Sequence, residues 1–421
     1  MYFLQHLHKN LQRLSTFALC VHNASLTRGT NAVHLSENYK DYIALGVQVN
    51  PENIDRVTTY ISERALVNKY DEKTVEDLRK ALLSRKRIIE SQDWFLSEPG
   101  LRSSTGGERE QSYVQTVIAC QELGLLQGDT FVLTSYGLLI KEIAKKYGVI
   151  DGPRRLERNP FIQNIPYVIT AFLPVIKNDL LFQKNLLTNL PVEFSFSDVC
   201  ILMEDILIGL DRNIPNTITT RSIKERIKGQ IIASRKLNQK LKGGGWSKKK
   251  PDKTETSKVS GGNVSIQTLY RPFEDMLLPR LEFLVDMGAL DKREPWRYNY
   301  SKTSKFEIAT KFFSSEISFL DRYFSLCAAL FERQTHIVTK SELIDHLRLG
   351  HNAFKNLAGY APILEATVYA NILSWEKAPW PVIEIKDSFK ILGEMAREDN
   401  SIIRIGPDRQ RQPFTFKIEG G

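Results

Sequence analysis

Between residues 217 and 250 the chain carries eleven basic side chains, Arg221, Lys224, Arg226, Lys228, Arg235, Lys236, Lys240, Lys242, Lys248, Lys249 and Lys250, against one acid, Glu225. At about 100° per residue, Ile223, Ile227, Ile231, Leu237 and Leu241 fall on one side of a helix, so the spacing predicts a helix over 221–242. At about 1.5 Å per residue it would be about 33 Å long. Arg221, Lys224, Lys228, Arg235 and Lys242 fall within about 60° of one another on a different side. Like charges four residues apart repel, so an uncompensated stripe calls for a counter-anion. A phosphate backbone or an acidic protein would serve, and a solvated helix that tolerates its charge is the plainer alternative. The net charge is +9 for the chain and +10 for this stretch, so the other residues together carry −1. Basicity is therefore local, and it points to a partner through this segment.

After the helix, residues 243–265 read GGGWSKKKPDKTETSKVSGGNVS, which predicts a flexible linker. Trp246 beside Lys248, Lys249 and Lys250 could stack on a base. A second basic feature is the expected hairpin over 401–418, whose turn GPDRQRQP brings Arg409 and Arg411 near Arg404.

Composition places the rest among ordinary globular chains: 421 residues, 42% hydrophobic and 25% charged, with material for two or three domains. Residues 1–98 read as an N-terminal helical domain. Phe3, Leu4, Leu7, Leu11 and Leu14 suggest an opening amphipathic helix, and no acid precedes Glu37, as in a transit peptide. Residues 98–110 read as a loop, 152–242 as an apolar helical hub punctuated by Pro160, Pro166, Pro174 and Pro191 and ending in the basic helix.

Two stretches share one grammar. In 111–151 an apolar helical stripe ends at Leu123-Gly124-Leu125-Leu126, followed by the strand-like Phe131-Val132-Leu133-Thr134 and a helix that Thr134 or Ser135 can cap. In 266–313 Leu281, Leu284, Val285 and Met287 precede Gly288-Ala289-Leu290, and Tyr298 to Ser301 takes the strand slot. A third candidate, 314–421, has a helix over 339–349, another over 387–397 and the closing hairpin. These blocks resemble the winged-helix family at Leu123 to Leu126 and Phe131 to Gly137. The resemblance implies a mainly α chain of the α+β sort, with a helical N-terminal part, two or three winged-helix units and a long basic helix. Winged helices bind duplex nucleic acid or hold protein partners, and wing arginines grip phosphate or enter a minor groove. The architecture is similar to accessory subunits of bacterial chromosome-maintenance or anti-phage defence complexes, including those built on coiled-coil ATPases.

Chemistry is sparse. There is no GxxxxGK[ST], GxGxxG, HExxH or GxSxG, so no nucleotide loop, zinc helix or serine elbow is visible, and no cofactor or metal is expected. Cys20, Cys120, Cys200 and Cys327 lie far apart in sequence, which fits a reducing, cytoplasmic compartment without a disulfide framework. The most apolar run, Tyr167 to Ile176, is short and holds Pro174, so no membrane span is expected. One fragment resembles half a PD-(D/E)xK nuclease signature: an apolar strand over Pro381 to Lys386 with Glu384 and Lys386, for which Glu365 is the nearest upstream acid. The expected function is a non-catalytic subunit that binds DNA, in duplex form, through Arg221, Lys224, Lys228, Arg235, Lys242, Lys248, Lys249, Lys250, Arg404, Arg409 and Arg411. It would assemble with protein partners such as an ATPase or nuclease subunit. A metal-dependent nuclease and a pure protein scaffold are the alternatives.

Overall fold

The computed structural model describes residues 117–128, 132–148, 164–242, 256–259, 262–294, 297–313, 319–406 and 415–419, with ten residues between Phe3 and Ala24. The expectations for 38–110, Trp246, Lys248 to Lys250, Arg409 and Arg411 lie outside the described residues. The described chain is mostly helical with a few small sheets.

Residues 117–122 are helical and stop at Gly124, whose φ of +73° is one that a side chain would strain. The Leu125 amide reaches back to the Cys120 carbonyl at 2.9 Å, and Leu126 bridges Leu133 in antiparallel fashion. Thr134 then caps α1 (Ser135–Lys146), its hydroxyl accepting from the Gly137 amide at 3.0 Å. A Cβ on Gly137 would stand 2.1 Å from the Leu125 carbonyl oxygen, so this crossing requires glycine.

Helix α2 (Ile165–Asn189) runs through Pro174 instead of stopping near it. Proline cannot donate to the Thr170 carbonyl, and the Tyr136 hydroxyl takes that acceptor at 2.9 Å. At 25 residues, with an 18-residue window of mean hydropathy 1.4, α2 is by length and composition long enough to cross a membrane, and 72% of that window is buried within the protein. Its backbone is interrupted at Asp179 (φ −123°, ψ 15°). There the chain divides into two compact units. The first gathers Met1–Arg13, Val49–Gly107 and Asn178–Ser304; the second gathers Leu14–Gln48, Glu108–Lys177 and Lys305–Gly421. The expected hub over 152–242 is therefore split at residue 177.

In the first unit, β1 (Glu193–Ser195) leads into α3 (Phe196–Asn213) through a capping box in which Ser195 and Asp198 each bind the other's backbone amide. Phe196, Val199, Cys200, Met203, Ile206, Leu207 and Leu210 are its buried stripe. A short 3-10 turn (Ile218–Thr220) precedes α4 (Arg221–Lys242), the basic helix, at the bounds expected. Strands β2 (Thr256–Val259) and β3 (Gly262–Ser265) then pair antiparallel, so the last part of the expected linker is an ordered hairpin. Helix α5 (Ile266–Asp286), β4 (Leu290–Glu294) and β5 (Arg297–Lys302) follow. The three-stranded sheet has the order β1-β5-β4, with Phe194 opposite Tyr300. The segment 266–313 is thus not self-contained, because its sheet takes an edge strand from beyond α3 and α4.

Near the N-terminus, Phe3, Leu4, Gln5 and Leu7 are not helical, contrary to expectation. The Leu4 amide donates to Asp179 at 3.0 Å and its carbonyl accepts from Arg280 at 2.9 Å, so neither is left for a helical bond.

The second unit continues with α6 (Phe306–Lys311), α7 (Phe319–Leu330), β6 (Thr335–Ile337), α8 (Leu343–Phe354), β7 (Ala361–Pro362), α9 (Ile363–Leu373), β8 (Trp380–Val382), α10 (Ile385–Glu398), β9 (Ile403–Ile405) and β10 (Thr415–Ile418). Its three-stranded sheet has the order β7-β10-β9, and β6 pairs parallel with β8. Leu343, Leu347, Ile363, Ala366, Leu392, Ile403 and Phe416 meet in one core. The expected hairpin over 401–418 is present in β9 and β10.

Candidate nucleic-acid interface

Helix α4 packs along α3 through Ile227, Ile231 and Leu237, with Ile223 half-buried. The apolar side expected from the spacing is therefore the packed side. Gln230, Ser234 and Asn238 follow one another every four residues beside it, and their Oε1, Oγ and Oδ1 atoms have no hydrogen-bond partner. Such a polar seam holds two helices less firmly than an apolar one.

Sequence reasoning treated the stripe as uncompensated, and here the structure corrects it. Arg235 Nε donates to Glu204 Oε1 at 2.7 Å, Lys224 lies 3.8 Å from Asp211, and Arg221 pairs with Glu225 at 3.3 Å. Glu204 and Asp211 are seven residues apart on α3, so they share a face, and that spacing was readable in advance. What was not readable is that α4 would pack against it. Arg226 also points elsewhere, donating to the Gln5 carbonyl at 3.3 Å.

Lys228 and Lys236 remain. Both are exposed and take no ion-pair partner among the described residues. They flank Ile232, itself 54% exposed, and Gly229, around which a Cβ would meet nothing within 4 Å. The open arc of α4 thus runs from Arg235 and Lys228 through Arg221 to Lys236, with Glu225 its one acid. Nothing is described of the Lys242 side chain. Arg404, on β9, is held by Glu419 at 2.9 Å, which Lys417 also approaches at 3.4 Å. Arg404 is thus tied to a carboxylate it shares with Lys417, and the tip arginines Arg409 and Arg411 lie outside the described residues.

Helix α5 has the opposite character. From Phe273 onward its described side chains are buried, apart from Asp275 and Val285, which are half-buried. Arg280 and Asp179 form a fully enclosed pair, with Nε to Oδ2 at 2.7 Å and Nη2 to Oδ1 at 2.6 Å, and the guanidinium lies over the Phe182 ring. From Phe273 onward this helix has no open face to offer a groove. On α10, Lys386, Lys390 and Arg397 are balanced by Asp387, Glu394 and Glu398.

The three residues of the nuclease alternative serve packing. Glu384 accepts backbone amides from Phe324 at 3.0 Å and Ser325 at 2.7 Å. Lys386 pairs with Asp321 at 3.0 Å. Glu365 is buried in the first turn of α9, and burial pushes its carboxyl up to about 7. The expected strand over 381–386 ends early because Asn371 binds both backbone groups of Ile383, at 3.1 and 2.8 Å, drawing the chain out of the ladder. Among the described residues no group of three or more His, Cys, Asp or Glu could hold a metal ion.

No family model matches the chain, and no curated protein or solved structure matches it.

Proposed function

We propose that this protein is a non-catalytic subunit that binds the phosphate backbone of duplex DNA through α4 and assembles with protein partners through its second unit. The observation that carries the reading is the open arc of α4, where Lys228 and Lys236 stand exposed without an ion-pair partner among the described residues, Glu225 is paired with Arg221, and the α3 acids Glu204 and Asp211 hold Arg235 and Lys224. A cationic helix face of this kind neutralises phosphates and releases their counterions, whatever the base sequence.

The strand orders support winged-helix units as the frame. In both three-stranded sheets the first strand pairs with the third, β1-β5-β4 and β7-β10-β9, and a helix precedes each first strand. A winged helix has that arrangement, with its recognition helix before the hairpin. In the first unit this helix is the buried α5, so contact with DNA falls to α4, inserted before it. In the second unit the corresponding α10 is charge-balanced, which suits protein contact better than phosphate.

Fluorescence anisotropy with labelled duplex DNA across a salt series tests the reading. The wild type should lose affinity steeply with salt. Lys228→Glu with Lys236→Glu should flatten the slope by about 1.8, at about 0.9 per phosphate contact. No binding at low salt would make α4 a site for an acidic protein instead.

A further inference from the structure

The same helix that offers free lysines also carries cations already held by carboxylates of α3. Arg235 is the telling one. Its side chain is 55% exposed, and a single bond, Nε to Glu204 Oε1 at 2.7 Å, ties it down. Glu204 is 26% exposed and also accepts from Asn238 Nδ2 at 3.4 Å, so its carboxylate is held by two residues on one face of α4. One turn of α4 away is Ile231, and two turns further back Lys224 sits 3.8 Å from Asp211. The α3 carboxylates therefore occupy positions beside α4 where an anion is already accepted.

We infer that Glu204 acts as an internal stand-in for phosphate: it holds Arg235 in the free protein and yields it when a nucleic-acid backbone binds α4. The inference rests on the reading of α4 as a DNA-binding face and adds its regulation. An exposed ion pair is worth little on its own, commonly under about 1 kcal/mol. A polyanion that brings several phosphates at once can therefore exchange it. While the pair is closed, Arg235 contributes no counterion release, so affinity is lower than the count of basic residues suggests. The cost of opening is small because the seam beneath is polar, with Ser234 and Asn238 incompletely bonded.

A salt-titrated anisotropy series with the full chain and a labelled duplex tests this. Glu204→Gln should raise affinity several-fold and leave the salt slope unchanged, because Arg235 reaches phosphate in both proteins and only the cost of opening the pair is removed. Asp205→Asn is the control: it removes the same charge one residue along α3, from an exposed position with no ion-pair partner among the described residues. It should raise affinity less and leave the slope unchanged. Arg235→Gln should flatten the wild-type slope by about 0.9 and cancel the affinity gain in the Glu204→Gln background, a non-additivity that a loosened helix would not produce. Equal effects of Glu204→Gln and Asp205→Asn, or a gain that survives Arg235→Gln, would overturn the inference while leaving DNA binding intact. Failure of the wild type to bind at any salt would instead remove the underlying reading, and this inference with it.

Discussion

Thr134 and Thr303 close two turns of the same construction. Each hydroxyl donates to the carbonyl of a glycine in the left-handed region, Gly124 at 2.6 Å and Gly288 at 2.7 Å, and each backbone amide donates to the residue after that glycine at 3.1 Å. Both glycines have a φ of +73°. The residue after each reaches back to the helix with its own amide at 2.9 Å, to Cys120 and to Leu284. Helix end, glycine, strand and returning threonine form one repeated device.

The hydroxyl of Thr134 has two tasks. Thr134→Val should cost about 2 kcal/mol, because the hydroxyl both closes the turn on Gly124 and caps α1 through the Gly137 amide. Urea midpoints of the wild type and the variant would show the loss.

The enclosed pair of Asp179 and Arg280 should be intolerant of single changes. Burial leaves the Asp179 carboxyl above its ordinary range even with the guanidinium opposing it. Removing either partner strands a charge in the core, at a cost of about 3–5 kcal/mol. Asp179→Leu combined with Arg280→Met should recover most of that in denaturant titrations. Loss of the pair should also release Phe3 and Leu4, visible as faster amide exchange at Leu4.

Glu365 should make stability depend on pH. Its folded carboxyl titrates at about 7 against an ordinary value of 4.5, so between these the folded state binds more protons than the unfolded one. Stability then falls as pH rises from about 4.5 to about 7, by about 3 kcal/mol, and levels off above. In Glu365→Gln this slope should vanish, leaving the variant more stable than wild type at pH 8. Chemical denaturation at pH 5 and pH 8 would decide it.

Two helical glycines should respond in opposite directions to alanine. A Cβ on Gly350 would stand 2.2 Å from the Ala366 carbonyl, where α8 crosses α9, so Gly350→Ala should cost about 3 kcal/mol. Around Gly393 in α10 there is nothing within 4 Å. Gly393→Ala should therefore stabilise by about 0.5–1 kcal/mol, through the unfolded chain. Thermal melts of both would test the packing of the second unit.

The amino-acid sequence by itself determined the features whose causes are local. It placed α4 at 221–242, the glycine turns at Gly124 and Gly288, and the hairpin of β9 and β10. Periodicity, a left-handed glycine and turn residues each act over a few positions, so reading them needs no partner. Tertiary structure alone decided what those elements meet. Glu204 and Asp211 pair with two of the five stripe residues, Arg235 and Lys224, because α3 and α4 pack, and nothing in either helix fixes that pairing. Pro174 stays inside α2 because Tyr136, far away in sequence, satisfies the carbonyl it leaves bare. The fragment at Glu384 resembles a catalytic strand, yet its carboxylate is spent on two amides of α7. Charge and hydrogen-bonding capacity are written in the chain; which groups consume them is set by contacts between distant residues, and function at a surface is what those contacts leave unspent.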